Sequence, residues 1–162
     1  MYNYLPLSLI NENTFFCQPK NLVLVINFLK KHIKSKYTQI VDIVAVDLVN
    51  NEYQFLVIYN LLSIMYNKRI SIKTLVKKNE KIASITSIFA ASNWLEREIW
   101  DMFGIYFNNH PDLRRILNDY NFEGFPLTKD FPVTGFYDLR YSETLKMITF
   151  DALSLNQQNR FH

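Results

Sequence analysis

One cysteine, three glycines and no long apolar run set firm limits on this 162-residue chain. Cys17 alone forms no internal disulfide and excludes any cluster ligated by several cysteines of this chain; a buried bystander thiol is the expected role. Gly104, Gly124 and Gly135 are too dispersed to build a glycine-rich phosphate loop. The longest apolar stretch, residues 55–66, is interrupted by Asn60 and Ser63 and falls short of the ~20 residues that span a bilayer. His32, His110 and His162 are scattered, with no H-x-x-x-H or C-x-x-C spacing, so no metal site is expected. Glu98 and Asp101 share a helix face, but no nucleophile or partner group stands at fixed spacing from them. The sequence therefore offers no catalytic, cofactor-binding or metal-binding residue.

What is present describes a globular chain. Hydrophobic residues make up 49% and charged residues 20%, which excludes a disordered polypeptide. Aromatics reach 15% against very few glycines; with abundant Asn, Ile and Lys, this matches AT-rich codons and hints at organellar encoding. The net charge of +3 is mild, and its densest basic stretch, residues 30–36, falls at the expected end of a helix. The helix dipole and solvation explain cations there, whereas nucleic-acid binding calls for an extended patch.

The expected fold class is α+β: an antiparallel meander with helices packed on it, plus an extended C-terminal arm. Residues 1–107 form the body and residues 108–162 the arm. Residues 14–17 suit a short strand, and Pro19 opens a helix whose buried stripe is Leu22, Val25, Ile26, Leu29 and Ile33. Residues 39–49, 53–66 and 69–77 read as three strands, turning at Asn50-Asn51 and Asn67-Lys68. Asn93 with Glu96 three residues on resembles a capping box, Arg97 and Asp101 are spaced to pair, and Gly104 suits a helix stop. Beyond Phe103 lie all three glycines and many aromatics without regular period. Pro111 is expected to start a short helix through Asn118, and residues 141–150 a hairpin. So apolar an extended segment must fold back on the body or lie on a partner, and the second fits a body already complete.

Residues 96–131 interleave charge with Trp100, Phe103, Phe107, Tyr120 and Phe122, a mixture that solubility alone does not call for. Within them stand Glu96-Arg97-Glu98, Asp101-Met102-Phe103, His110, Arg114 and Ile116-Leu117. This spacing resembles, position by position, the signature of the 30 kDa subunit of respiratory complex I, which is called subunit 9 when mitochondrially encoded and has a bacterial counterpart. The likeness continues through Asp112-Leu113, Asp119-Tyr120, Gly124, Pro126-Leu127 and Lys129-Asp130-Phe131-Pro132, and more loosely upstream through Val46-Asp47 and residues 59–63. Phe125 and Thr128 depart from it, standing where the family usually has histidine and arginine.

The resemblance implies a non-catalytic core subunit in the peripheral, matrix-side arm of a proton-pumping NADH:ubiquinone oxidoreductase at the mitochondrial inner membrane. It implies a hetero-oligomer with other complex I subunits, chiefly the 49 kDa subunit of the quinone module, along which the arm runs. FMN, iron–sulfur clusters, NADH and ubiquinone belong to other subunits; this chain is expected to bind none of them, and to enter neither membrane nor nucleic acid. Residues 1–10 contain no arginine and no basic amphipathic face, so no transit peptide is expected and mitochondrial encoding is favoured. Glu96, Arg97, Glu98, Asp101, His110, Arg114, Arg115, Lys129 and Asp130 are the expected partner-interface residues. The two arginines carry most weight, since guanidinium forks suit recognition across subunits. The alternative function is an organellar RNA-binding or ribosomal α/β module using the lysine cluster and exposed aromatics.

Overall fold

Alternation of apolar and polar residues from residue 39 to residue 76 builds the central sheet of the computed structural model, which describes residues 7–11, 13–48, 52–155, 157 and 160. Its elements are strands β1 (Leu7–Asn11) and β2 (Thr14–Cys17), helix α1 (Leu22–Lys31), strands β3 (Gln39–Asp47), β4 (Phe55–Ser63), β5 (Lys68–Val76) and β6 (Ile82–Ala83), helix α2 (Ser92–Phe103), and strands β7 (Phe107–Asn108), β8 (Tyr137–Ser142) and β9 (Met147–Ala152). The three long strands form the expected meander, with β4 between β3 and β5. The Asn50-Asn51 turn lies outside the described residues. Asn67 takes the left-handed conformation at the second turn, as asparagine tolerates.

The α+β class holds, but the sheet is not purely antiparallel. Its order is β1-β2-β5-β4-β3, and β2 runs parallel to β5 with Phe15 opposite Ile72. A parallel partner requires a crossover, supplied here by α1 and the meander itself.

Every second residue of β4, from Phe55 to Ser63, is buried, as are Ile43, Ala45, Ile70, Ile72 and Val76 of its neighbours. Leu22, Val25, Ile26 and Leu29 of α1 and Ile99 of α2 join the same core, so both helices cover one face. Ile33 does not belong to that stripe. The helix ends at Lys31, His32 is extended, and Ile33 is exposed. Lys30 and Lys31 occupy the last turn, where the dipole favours cations. Cys17 is fully buried, and burial pushes its thiol up to about 11, which leaves it protonated and inert.

Short strands β6 and β7 pair in parallel on either side of α2, with Ile82 opposite Phe107. This small β-α-β unit brings the segment after β6 beside the corner after β7, across the buried face of α2. Gly104 ends the helix at φ 77, and its N–H donates to the Trp100 carbonyl at 2.9 Å. A Cβ there would lie 2.6 Å from the Phe125 ring, so glycine is needed for space as well as for conformation.

Residues 110–131 return to the body at several points. The Leu127 N–H donates to the Met102 carbonyl, and the Lys129 N–H to the buried Asp47 carboxylate at 2.9 Å. Phe125 packs edge-on against Trp100, and the Thr128 hydroxyl donates to the Phe125 carbonyl. The two departures from the family pattern are thus filled by local packing and a local hydrogen bond. The expected hairpin is β8–β9, starting four residues earlier than the aromatic pattern indicates.

Candidate functional site: a buried acid network and an exposed hairpin face

Helix α2 carries three signature side chains inward. Glu96 and Asp101 are fully buried and Arg97 nearly so, although all three are expected from the sequence to face a partner. Their partners lie within this chain, so the reading as interface side chains is corrected for them.

Glu96 does not cap its helix. The helix begins at Ser92 after Ala91, and no side chain caps it, so the capping box at Asn93 does not form. Glu96 reaches across to the segment after β6 instead, where its carboxyl meets the Ile85 N–H at 2.8 Å and the Ser84 hydroxyl at 2.6 Å. Burial raises its pKa to about 7, against the opposing pull of Ser84 and Ile85. The His110 imidazole, fully buried, lies 3.9 Å from the same carboxyl. Its Nδ1 accepts the Asp112 N–H at 3.1 Å, leaving Nε2 to carry the proton and donate to the Asn93 carbonyl at 3.2 Å. His110 therefore bridges its corner to the start of α2.

Asp101 organises the next segment. One oxygen accepts the backbone N–H groups of Ile116, Leu117 and Asn118, at 3.2, 2.8 and 2.9 Å. The other accepts the Arg115 guanidinium at 2.8 Å and the Asn118 carboxamide at 3.0 Å. Burial alone would raise the pKa; the amides of Asn118 and Leu117, with Arg115 and the Asn118 side chain, outweigh it and hold the group at about 2. This network is why residues 111–118 form no helix: the donors that would have made helical bonds are taken by the carboxylate.

Arg97 does not pair with Asp101. Its guanidinium lies over the Trp94 ring and donates to the carbonyls of Arg114 and Arg115. Arg115 is tied to Asp101 and to the Gly124 carbonyl, with Phe122 and Phe125 on its faces. Arg114 points outward to Asp112 at 2.9 Å. The two arginines do engage different groups, but within one chain and without a helix. Glu98, Arg114, Lys129 and Asp130 are the expected interface residues that remain exposed. Ser84 and Asn118 escape a reading of the sequence, because a lone serine or asparagine in a loop carries no spacing signal.

The second feature is the β8–β9 hairpin. Directly opposed pairs share a face, so Leu139 with Phe150 and Tyr141 with Ile148 line one side together with Tyr137. The other side carries Asp138, Asp151, Arg140 and Thr149, with Arg140 paired to Asp151 at 3.0 Å. All five apolar side chains are exposed, Phe150 by 65%. Beside them lies a cavity of about 580 Å³ lined by Phe122, Phe131, Val133 and Phe136. Among the described residues no group of three or more potential metal ligands occurs, and no helix is long and apolar enough to cross a membrane.

A family described as the respiratory-chain NADH dehydrogenase 30 Kd subunit matches residues 15–137. NADH-ubiquinone oxidoreductase subunit 9 of Reclinomonas americana is 44% identical over 149 residues, covering 92% of this chain and 73% of its own length. An NADH-quinone oxidoreductase subunit of Rhodospirillum rubrum is 41% identical over 150 residues, covering 93% and 70%. Among solved structures, a chain of an archaeal respiratory membrane complex, the membrane-bound sulfane sulfur reductase, shares the fold. Its TM-score is 0.67 at 22% identity, over 81% of this chain and 79% of that one.

Proposed function

We infer the role of this chain from one premise: it belongs to the 30 kDa subunit family of the respiratory-chain NADH dehydrogenase, and is a subunit of complex I. Within that enzyme we assign it a scaffolding role without catalytic residues, in the mitochondrial peripheral arm on the matrix side. We take the hairpin and its approach, from about residue 132 onward, as the surface held by the quinone-module subunit of 49 kDa.

One observation carries this reading: the apolar face of the β8–β9 hairpin is uncovered. A two-stranded hairpin is marginal in water by itself, and this one turns Tyr137, Leu139, Tyr141, Ile148 and Phe150 outward. Burying each such side chain is worth about 1.5–3 kcal/mol, although ordering and docking costs absorb much of the sum. The acid networks support the same role. They stiffen residues 96–118 into a fixed platform, from which the arm leaves in one direction. Glu96 and Asp101 are themselves fully buried, and of the Asp101 network Asn118 borders the cavity beside the hairpin. The RNA-binding alternative rests on the lysines of residues 30–36, of which Lys30 and Lys31 occupy the last turn of α1, where the dipole favours cations.

The double variant Leu139→Asp with Phe150→Asp tests the assignment. The expected result is a severalfold drop in assembled complex I on a native gel, with NADH-to-quinone turnover per assembled complex unchanged. Normal assembly with collapsed turnover would assign the hairpin to catalysis, and normal values of both would remove it from the interface.

A further inference from the structure

We propose that Glu96 is a buried proton-exchange site wired to the surface through Ser84 and Thr86, and that loss of its proton re-aims His110 and loosens the 110–118 segment. The wire is a continuous row of oxygens. Ser84 Oγ lies 2.6 Å from Glu96 Oε2 and 2.9 Å from Thr86 Oγ1, and Thr86 is half-exposed. Each hydroxyl donates one proton and accepts another. When Glu96 is protonated, its O–H donates to Ser84, which donates on to Thr86. On release, the Glu96 proton passes to Ser84 Oγ as the Ser84 proton passes to Thr86 Oγ1 and the Thr86 proton to water. The hydroxyls then turn, and Ser84 donates to the carboxylate. Both hydroxyls end with the single proton they began with, and the net products are a carboxylate and hydronium.

The buried carboxylate left behind needs a further donor. The titratable groups around it are few. His110 faces it from the corner after β7, and Tyr59 from β4, with Cys17 of β2 behind Tyr59. Arg97, next along α2, is committed to the carbonyls of Arg114 and Arg115, and Asp101 to Arg115. The Tyr59 and Cys17 groups both stay protonated, the first pushed well up by burial and by Glu96, the second by burial. The Nε2–H of His110 is the donor that has only to swing, from the Asn93 carbonyl to a carboxylate oxygen now 3.9 Å away. That swing breaks the tie between α2 and the 110 corner and strains the Asp112 N–H bond to Nδ1. The 110–118 segment keeps its Asp101 ties but loses this one. The neutral range into which burial lifts Glu96 makes the exchange accessible under ordinary conditions.

The test uses the full-length chain with ¹³C in the glutamate carboxyls and ¹⁵N in the histidines, titrated from mildly acid to mildly alkaline pH. Infrared spectra should show one protonated carboxyl persisting after the exposed carboxylates have ionised. It should vanish in the same step in which the His110 Nε2 resonance moves. In Glu96→Gln the band should be absent. Ser84→Ala should raise the midpoint, because the hydroxyl favours the ionised form. Thr86→Val should leave the midpoint in place and slow deuterium exchange of the carboxyl proton severalfold. Titration of Glu96 together with the surface carboxylates would overturn the proposal, as would a His110 signal indifferent to that step or unchanged exchange in Thr86→Val. The serine and threonine variants decide the matter if Glu96→Gln fails to fold.

Discussion

Replacing Asp101 by alanine is expected to lower the stability of the chain by about 3–5 kcal/mol, as removal of one partner from a buried charge pair typically does. The reason is the number of donors that one carboxylate satisfies. Three consecutive backbone N–H groups, the Arg115 guanidinium and the Asn118 carboxamide all converge on it. Each polar group left unsatisfied in a site shielded from water costs on the order of 1–3 kcal/mol, though neighbours relax together and the costs do not add. A domain of this kind has about 5–15 kcal/mol in all. Asparagine keeps one acceptor oxygen and should recover part of the loss. Arg115→Ala should cost less than Asp101→Ala, because the carboxylate would keep its four remaining donors. Urea unfolding of the three variants measures this, and a double-mutant cycle isolates the pair. An Asp101→Ala variant within about 0.5 kcal/mol of the parent, the range of ordinary surface substitutions, would show that the network is not what holds residues 110–118.

The second expected result is a stability profile bounded by two acids of one helix that titrate in opposite senses. Glu96 has its folded pKa raised from 4.5 to about 7. The folded chain therefore keeps a proton that the unfolded chain releases, and this contribution is complete below about pH 4.5. It is lost as pH rises towards 7, by an amount on the order of 3 kcal/mol. Asp101 is lowered from 3.8 to about 2. Its contribution is complete above about pH 4 and is lost as pH falls towards 2, on the order of 2 kcal/mol. Glu96→Gln mimics the protonated acid, with an oxygen for the Ile85 N–H and an amide to donate to Ser84. That variant should lose the upper slope and exceed the parent in stability above pH 7. Unfolding free energies across pH for the pair of proteins check this. A parallel offset at all pH values would sink it.

The strands that alternate cleanly are legible in the sequence. Residues 39–47, 55–63 and 68–76 pair as a meander because each buries one side of a period-two pattern. Thr14–Cys17 is legible as a strand but not as a parallel neighbour of β5, since four residues carry no mark of orientation. The spacing of the signature residues finds them, yet it misleads about their direction. Charge on a helix normally means a solvated or docking face. Glu96 and Asp101 are inward because segments distant in sequence bring donors to them, and nothing local to α2 announces Ser84 or the amides of residues 116–118. The short helix expected from Pro111 fails for the same cause. Local propensity favours it, and a side chain from another element removes its hydrogen bonds.

The parallel pairing of β2 with β5 has a bearing on the order in which the chain folds. The meander closes through neighbours along the chain, at small cost in chain entropy. Strand β2 pairs locally with β1, but that hairpin can join the main sheet only once Ser71 to Lys73 are in place, far downstream, and α1 is carried between them. Long-range closures of this kind are entropically late steps. As the chain leaves a ribosome, its amino-terminal part therefore waits unsheltered while the meander assembles behind it. Pulse-labelled hydrogen exchange during refolding should protect amides of β4 before those of β2. Simultaneous protection would mean that the nucleus already includes the crossover.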